Sequence, residues 1–113
     1  MNGNVKGNVG FTKHPKREGV FMKDFFSKDE TDGRLNNVEI KILPGFCITE
    51  HTHGDAGEYF YVIVGQGEFL DDTEWVAVRA GDAFQAPAGM RHAVRNNGTE
   101  ELKLFSTFCP PVR

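Results

Sequence analysis

His51, His53, Glu58 and His92 are the residues of this chain whose types and spacing best support chemistry. Three neutral imidazoles and one carboxylate are borderline nitrogen and oxygen donors. They suit a divalent first-row ion such as Fe, Mn, Ni, Zn or Cu, and an octahedral ion held by four of them keeps two positions for a small ligand. His51 and His53 are two apart, so on a strand their side chains share one face, with Cα atoms about 6–7 Å apart. Glu58 lies five residues further on, and simple alternation would send it to the opposite face. The turn expected at 54–57, with a glycine at each end, resets the chain direction between two neighbouring strands and removes that conflict. His92 must come from a separate strand, aimed by the stiff Pro87-Ala88-Gly89 sequence. A His-x-His pair by itself is more often an ordinary pair of strand histidines than a ligand set. Glu58 and His92 are what set this one apart. The fourth histidine, His14, precedes Pro15 in a polar N-terminal stretch and is expected to be solvated.

The elements that must position these residues read as strands. β-favouring runs at 20–26, 37–43, 47–53, 58–64, 68–70, 74–79, 83–86, 92–95 and 102–108 are divided by Gly, Pro, Asn and Asp clusters, with no useful helical period. Such spacing predicts an all-β antiparallel sandwich or barrel. Alternation puts Val38, Ile40 and Ile42 in one apolar row, and Phe60, Val62 and Val64 in another that shares the parity of Glu58. Tyr59, Tyr61 and Ile63 then face outward and need a second sheet or another subunit to cover them. Met90 and Val94 share the parity of His92, and Cys47 that of His51 and His53. The expected pocket wall is therefore Phe60, Val62, Met90, Val94 and Cys47. Residues 1–18, rich in Asn, Gly and Lys, form an arm, and residues 19–113 form the barrel.

Two glycine-punctuated segments frame the four candidates. The first runs Gly45-x5-His51-x-His53-x4-Glu58-x6-Gly65, the second Gly81-x5-Pro87-x-Gly89-x2-His92-x3-Asn96, with 15 residues between them. In these spacings the chain resembles a small single-domain member of the cupin superfamily over about residues 37–108. The resemblance implies a double-stranded β-helix, that is, a jelly-roll barrel. It also implies one divalent transition metal per chain, held inside by His51, His53, Glu58 and His92. Such proteins are commonly homodimers that exchange N-terminal strands, a role open to residues 1–26. The functional expectation is a metal-dependent enzyme acting on a small oxygenated metabolite, either oxidoreductase chemistry of the dioxygenase type or isomerase or lyase chemistry. Glu58 would double as the catalytic base. The alternative is a non-catalytic metal and small-ligand binding or sensory module, since no other acid or base stands at motif-fixed spacing.

Composition narrows the remaining classes. The chain has 113 residues, 13 Lys and Arg against 16 Asp and Glu, and a formal net charge of -3. That length allows one domain with a real core. No basic run tracks a phosphate backbone, so nucleic acid is not an expected partner. No segment approaches the roughly 18 apolar residues of a membrane span and none reads as a signal peptide, so a cytoplasmic protein without membrane contact is expected. Cys47 and Cys109 lack C-x-x-C spacing and indicate neither a redox motif nor a disulfide framework.

Overall fold

A computed structural model describes residues 3–51 and 54–113, with Glu50 and His51 described by their backbone alone. Ten strands follow one another, with no helix among the described residues. They are β1 (Thr12–Lys13), β2 (Val20–Asp24), β3 (Asn36–Ile42), β4 (Cys47–His51), β5 (Gly57–Val64), β6 (Gln66–Asp71), β7 (Glu74–Arg79), β8 (Ala83–Ala86), β9 (His92–Arg95) and β10 (Leu102–Cys109). One sheet has the order β1-β2-β3-β10-β5-β8 and the other β4-β9-β6-β7, every pairing antiparallel. This is the expected jelly roll. Neighbours far apart in sequence, such as β3 and β10, are what close it into a double-stranded β-helix.

Alternation of side chains explains the core. Along β3, Asn36, Val38, Ile40 and Ile42 are buried while the residues between them are half-buried. Along β10, Leu102, Leu104, Ser106 and Phe108 do the same. Leu104 lies opposite Ile40 on one side and Val62 on the other, and Ser106 lies opposite Val38 and Phe60. The inner faces of both sheets meet in a cluster that includes Val20, Val38, Ile42, Val62, Phe69, Val94, Leu102 and Leu104. Each fully buried aliphatic side chain there contributes about 1.5–3 kcal/mol.

One member of the expected inner row is misplaced. Phe60 and Val62 are buried, but Val64 is 45% exposed. The β5–β10 ladder shifts register between Lys103 and Leu104, so Val64 lies opposite outward-facing Lys103 while Val62 lies opposite Leu104. A bulge puts two residues against one and so reverses parity beyond it. Tyr59, Tyr61 and Ile63 are exposed, as alternation requires, and with Val64 they leave an uncovered apolar face.

Gly65, next to that bulge, has a φ of 89°, and a Cβ there would run into the Glu101 carbonyl oxygen. Gly45 also has positive φ, at 85°, but open space around it. Gly45→Ala should therefore cost about 1–2 kcal/mol, the left-handed penalty alone. Gly65→Ala should cost about 1–3 kcal/mol more, because backbone on β10's approach must move. Urea denaturation of the two variants checks the difference.

The N-terminal segment is less detached than its composition suggests. Thr12 and Lys13 pair with Met22 and Phe21 of the same chain. Phe11 sits beneath the ammonium groups of Lys23 and Lys41, each 4.5 Å from the ring centre, which fixes the segment against the sheet.

Candidate functional site

Glu58 and His92 come from opposite sheets and meet in the interior. Gly57–Val64 runs in the six-stranded sheet and His92–Arg95 in the four-stranded one. Glu58 is only 3% exposed and His92 2%. His92 Nε2 lies 3.0 Å from Glu58 Oε1, while His92 Nδ1–H donates to the Met90 carbonyl at 3.0 Å. The Ser106 hydroxyl donates to Glu58 Oε2 at 2.6 Å. A buried carboxylate beside a buried imidazole is tolerated only when such hydrogen bonds replace lost water. Burial opposes charge on His92 most strongly, but the Glu58 hydrogen bond, the Met90 carbonyl and the Glu58 charge together outweigh it. Its pKa is held above the ordinary histidine value.

These contacts also fix how the two side chains present themselves. With Nδ1–H committed to a backbone carbonyl, Nε2 is the ring nitrogen aimed at Glu58. An imidazole held by a carbonyl at one nitrogen and a carboxylate held by a hydroxyl form the outer bonding pattern typical of metal-ligating side chains. Phe60 packs edge-on against the His92 ring, with centres 6.4 Å apart, and stacks on Phe84 at 4.6 Å.

The pair forms the floor of a cavity of about 160 Å³. Ile40, Ile48, Phe60, Val94 and Phe108 make apolar walls, and His14, Arg17 and Arg113 add polar groups from the two terminal segments. The volume falls below the roughly 300–1,000 Å³ of drug-sized pockets and suits a ligand of a few heavy atoms.

Of the residues expected here, Glu58, Phe60, His92 and Val94 do line the cavity. The backbone of His51 pairs with that of His92. Its side chain, and His53 altogether, lie outside the described residues. Val62 is fully buried in the core behind the wall. Met90 packs against the core and serves His92 through its carbonyl; it does not line the cavity. Cys47 is misassigned. The β4–β9 register runs Cys47 with Arg95 and Ile48 with Val94, then shifts before His51 meets His92. The bulge breaks the parity count from Cys47 to His51, so Ile48 takes the inner position. Cys47 shares the outer face with Arg95, which bonds Glu68 at 2.7 Å and stacks on Trp75 at 3.8 Å.

Three contributors were not anticipated. Ser106 was legible as the one polar residue in the inward Leu102, Leu104, Phe108 row. His14, expected in solvent, lines the cavity, and burial followed by the charges of Arg17, Arg113 and Lys16 lowers its pKa. Arg17 reaches the cavity because its Nη1 bonds the Thr49 hydroxyl at 2.6 Å, a contact across 32 residues.

Comparison with known proteins agrees with this fold. Residues 38–108 match the family model described as Cupin domain. The chain belongs to the cupin family. This cupin is 30% identical over 88 residues to the oxalate-binding protein of Thermotoga maritima, covering 77% of this chain and 73% of that one. It is 37% identical over 67 residues to polyketide synthase CurC of Streptomyces cyaneus, but spans only 44% of that relative. Among solved structures, one described as a predicted oxalate decarboxylase from Thermotoga maritima superposes with a TM-score of 0.84 at 23% identity, covering 90% of this chain and 93% of that one. The polyketide cyclase RemF from Streptomyces resistomycificus superposes with a TM-score of 0.80 at 16% identity, covering 96% and 80%. At such identities the structural likeness concerns the fold.

Proposed function

We propose that this cupin holds one divalent transition metal through His51, His53, Glu58 and His92 and takes a small oxygenated acid into the cavity above it. The observation that carries this reading is the buried Glu58–His92 pair, braced by Ser106 and the Met90 carbonyl at the floor of an apolar cavity. The donor set fits such an ion, since both described candidates are hard or borderline donors with their outer bonds already made. When bound, the metal would supply Lewis acidity or a site for O₂. The chain's own residues do the rest. Phe60, Val94 and Phe108 keep the cavity dry, which strengthens every charge interaction within it. Glu58 is the one carboxylate among the described residues lining the cavity, and so is the candidate base. A second copy of the chain would pack on the uncovered Tyr59, Tyr61, Ile63 and Val64 face.

A binding module using the same cavity is the second reading, favoured by similarity to a relative named for binding oxalate. One experiment separates the two. Protein loaded with Fe, Mn or Zn is mixed with oxalate, glycolate, pyruvate and malonate, while NMR follows each acid and an electrode follows O₂. Turnover of any acid is expected for the enzyme. Tight binding without turnover establishes the module, and no binding at all contradicts the small-acid reading.

A further inference from the structure

The cavity is graded in polarity from floor to rim. Glu58 and His92 at the floor are almost fully buried, the middle is apolar, and the outer polar groups lie outside the two glycine-punctuated segments. Arg17 and His14 are half-buried and Arg113 is exposed, as rim residues should be. The rim therefore holds two guanidinium groups and one imidazole, and the one carboxylate among the described lining residues, Glu58, is at the floor.

The two arginines differ in what else they touch. Arg113 forms an ion pair with Asp24 at 2.8 Å, which offsets much of its charge. Arg17 is anchored by the neutral Thr49 hydroxyl, and among the described residues no acidic partner faces it. Its charge is thus left for something entering the cavity. His14 Nδ1 accepts the Lys16 amide N–H at 3.1 Å, so in the neutral ring the proton sits on Nε2, making His14 a hydrogen-bond donor at this rim. Partial burial next to apolar walls raises the worth of a charge-assisted hydrogen bond over one in open water.

We infer that Arg17, supported by Arg113 and His14, is a specificity-determining residue that binds the carboxylate of a small acid at the rim while the rest of that acid reaches towards Glu58 and His92. This rests on the proposed small-acid function and adds to it which residues choose an anion over a neutral analogue. A planar guanidinium pairs two donors with one carboxylate, which an ammonium does not reproduce. The N-terminal arm, through Arg17, thereby becomes part of the ligand site.

The test is calorimetric titration of oxalate and malonate, with malonamide as the uncharged control, into wild type, Arg17→Gln, Arg17→Lys and Arg113→Gln. Each protein is titrated both metal-free and Mn-loaded, with metal content measured on the same samples. Arg17→Gln is expected to weaken acid binding by about 10- to 100-fold while retaining wild-type metal content. Arg17→Lys should recover part of the loss, Arg113→Gln should lose less than Arg17→Gln, and malonamide binding should not respond to Arg17. Acid affinity within twofold of wild type in Arg17→Gln overturns the inference even if metal and acid both bind. So does a wild type that binds neither acid in either form, an outcome that also removes the small-acid reading. Failure of wild type to take up metal removes the metal reading alone, since the metal-free titrations still decide the role of Arg17.

Discussion

Replacing His92 with alanine is expected to lower affinity for Mn²⁺, Fe²⁺ or Zn²⁺ by more than about 100-fold, beyond the 10- to 100-fold typical of losing an outer hydrogen-bond partner. The reason is geometric. Among the described side chains, His92 is the candidate from the four-stranded sheet that meets Glu58 in the interior, with Nε2 at 3.0 Å and Nδ1 already secured. Ser106→Ala removes the 2.6 Å donor to Glu58 Oε2 and leaves every candidate ligand in place. It should fall within the smaller, 10- to 100-fold class, with a folding cost of about 1–3 kcal/mol for a buried carboxylate short of a donor. Chelator competition measures the first quantity and chemical denaturation the second. Equal metal affinity in wild type and His92→Ala would remove His92 from the ligand set.

Acidification should empty the site, and His92 should be among the ligands lost. An imidazole ligates only when neutral, so metal and proton compete for Nε2. The pKa of His92 in the folded metal-free protein lies above its ordinary 6.5. The stability gained from its protonation is therefore fully present below about pH 6.5 and is lost as pH rises through the raised value. Metal binding runs the other way across the same window. Affinity should fall steeply between about pH 7 and pH 5, with up to three protons taken up per metal released if all three histidines ligate. The stabilisation that added metal confers on unfolding should shrink in step. Metal-buffered titrations across this range check the slope, and an affinity that stays level to about pH 4 would contradict histidine ligation.

Much of this architecture is written in patterns of period two. The Val38, Ile40, Ile42 row and the inward Phe60 and Val62 follow from alternation alone, and the glycine and proline dividers place most strand ends within a residue or two. Alternation fails where the ladder shifts. The two side chains assigned to the wrong face, Val64 and Cys47, lie beside register shifts, in β5–β10 and β4–β9 respectively. A bulge is a property of two paired strands, so neither strand's own sequence reveals it. The rim was illegible for a related reason. His14, Arg17 and Arg113 reach the cavity only through closure of the fold, and no periodicity links residues near the two ends of a chain. Arg17 depends on a hydroxyl 32 positions away. Ser106 is the contrary case, since a lone serine in an inward apolar row already asks for a buried partner, and Glu58 is that partner.

Elemental analysis of the purified protein, repeated after reconstitution with Fe²⁺, Mn²⁺ and Zn²⁺ and gel filtration, tests the central claim most directly. One equivalent of a single transition metal per chain is the result expected from Glu58 and His92 acting together with His51 and His53. A protein that retains no metal after any of the three reconstitutions would contradict it, and the buried Glu58–His92 pair would then stand as an ion pair of the barrel's interior.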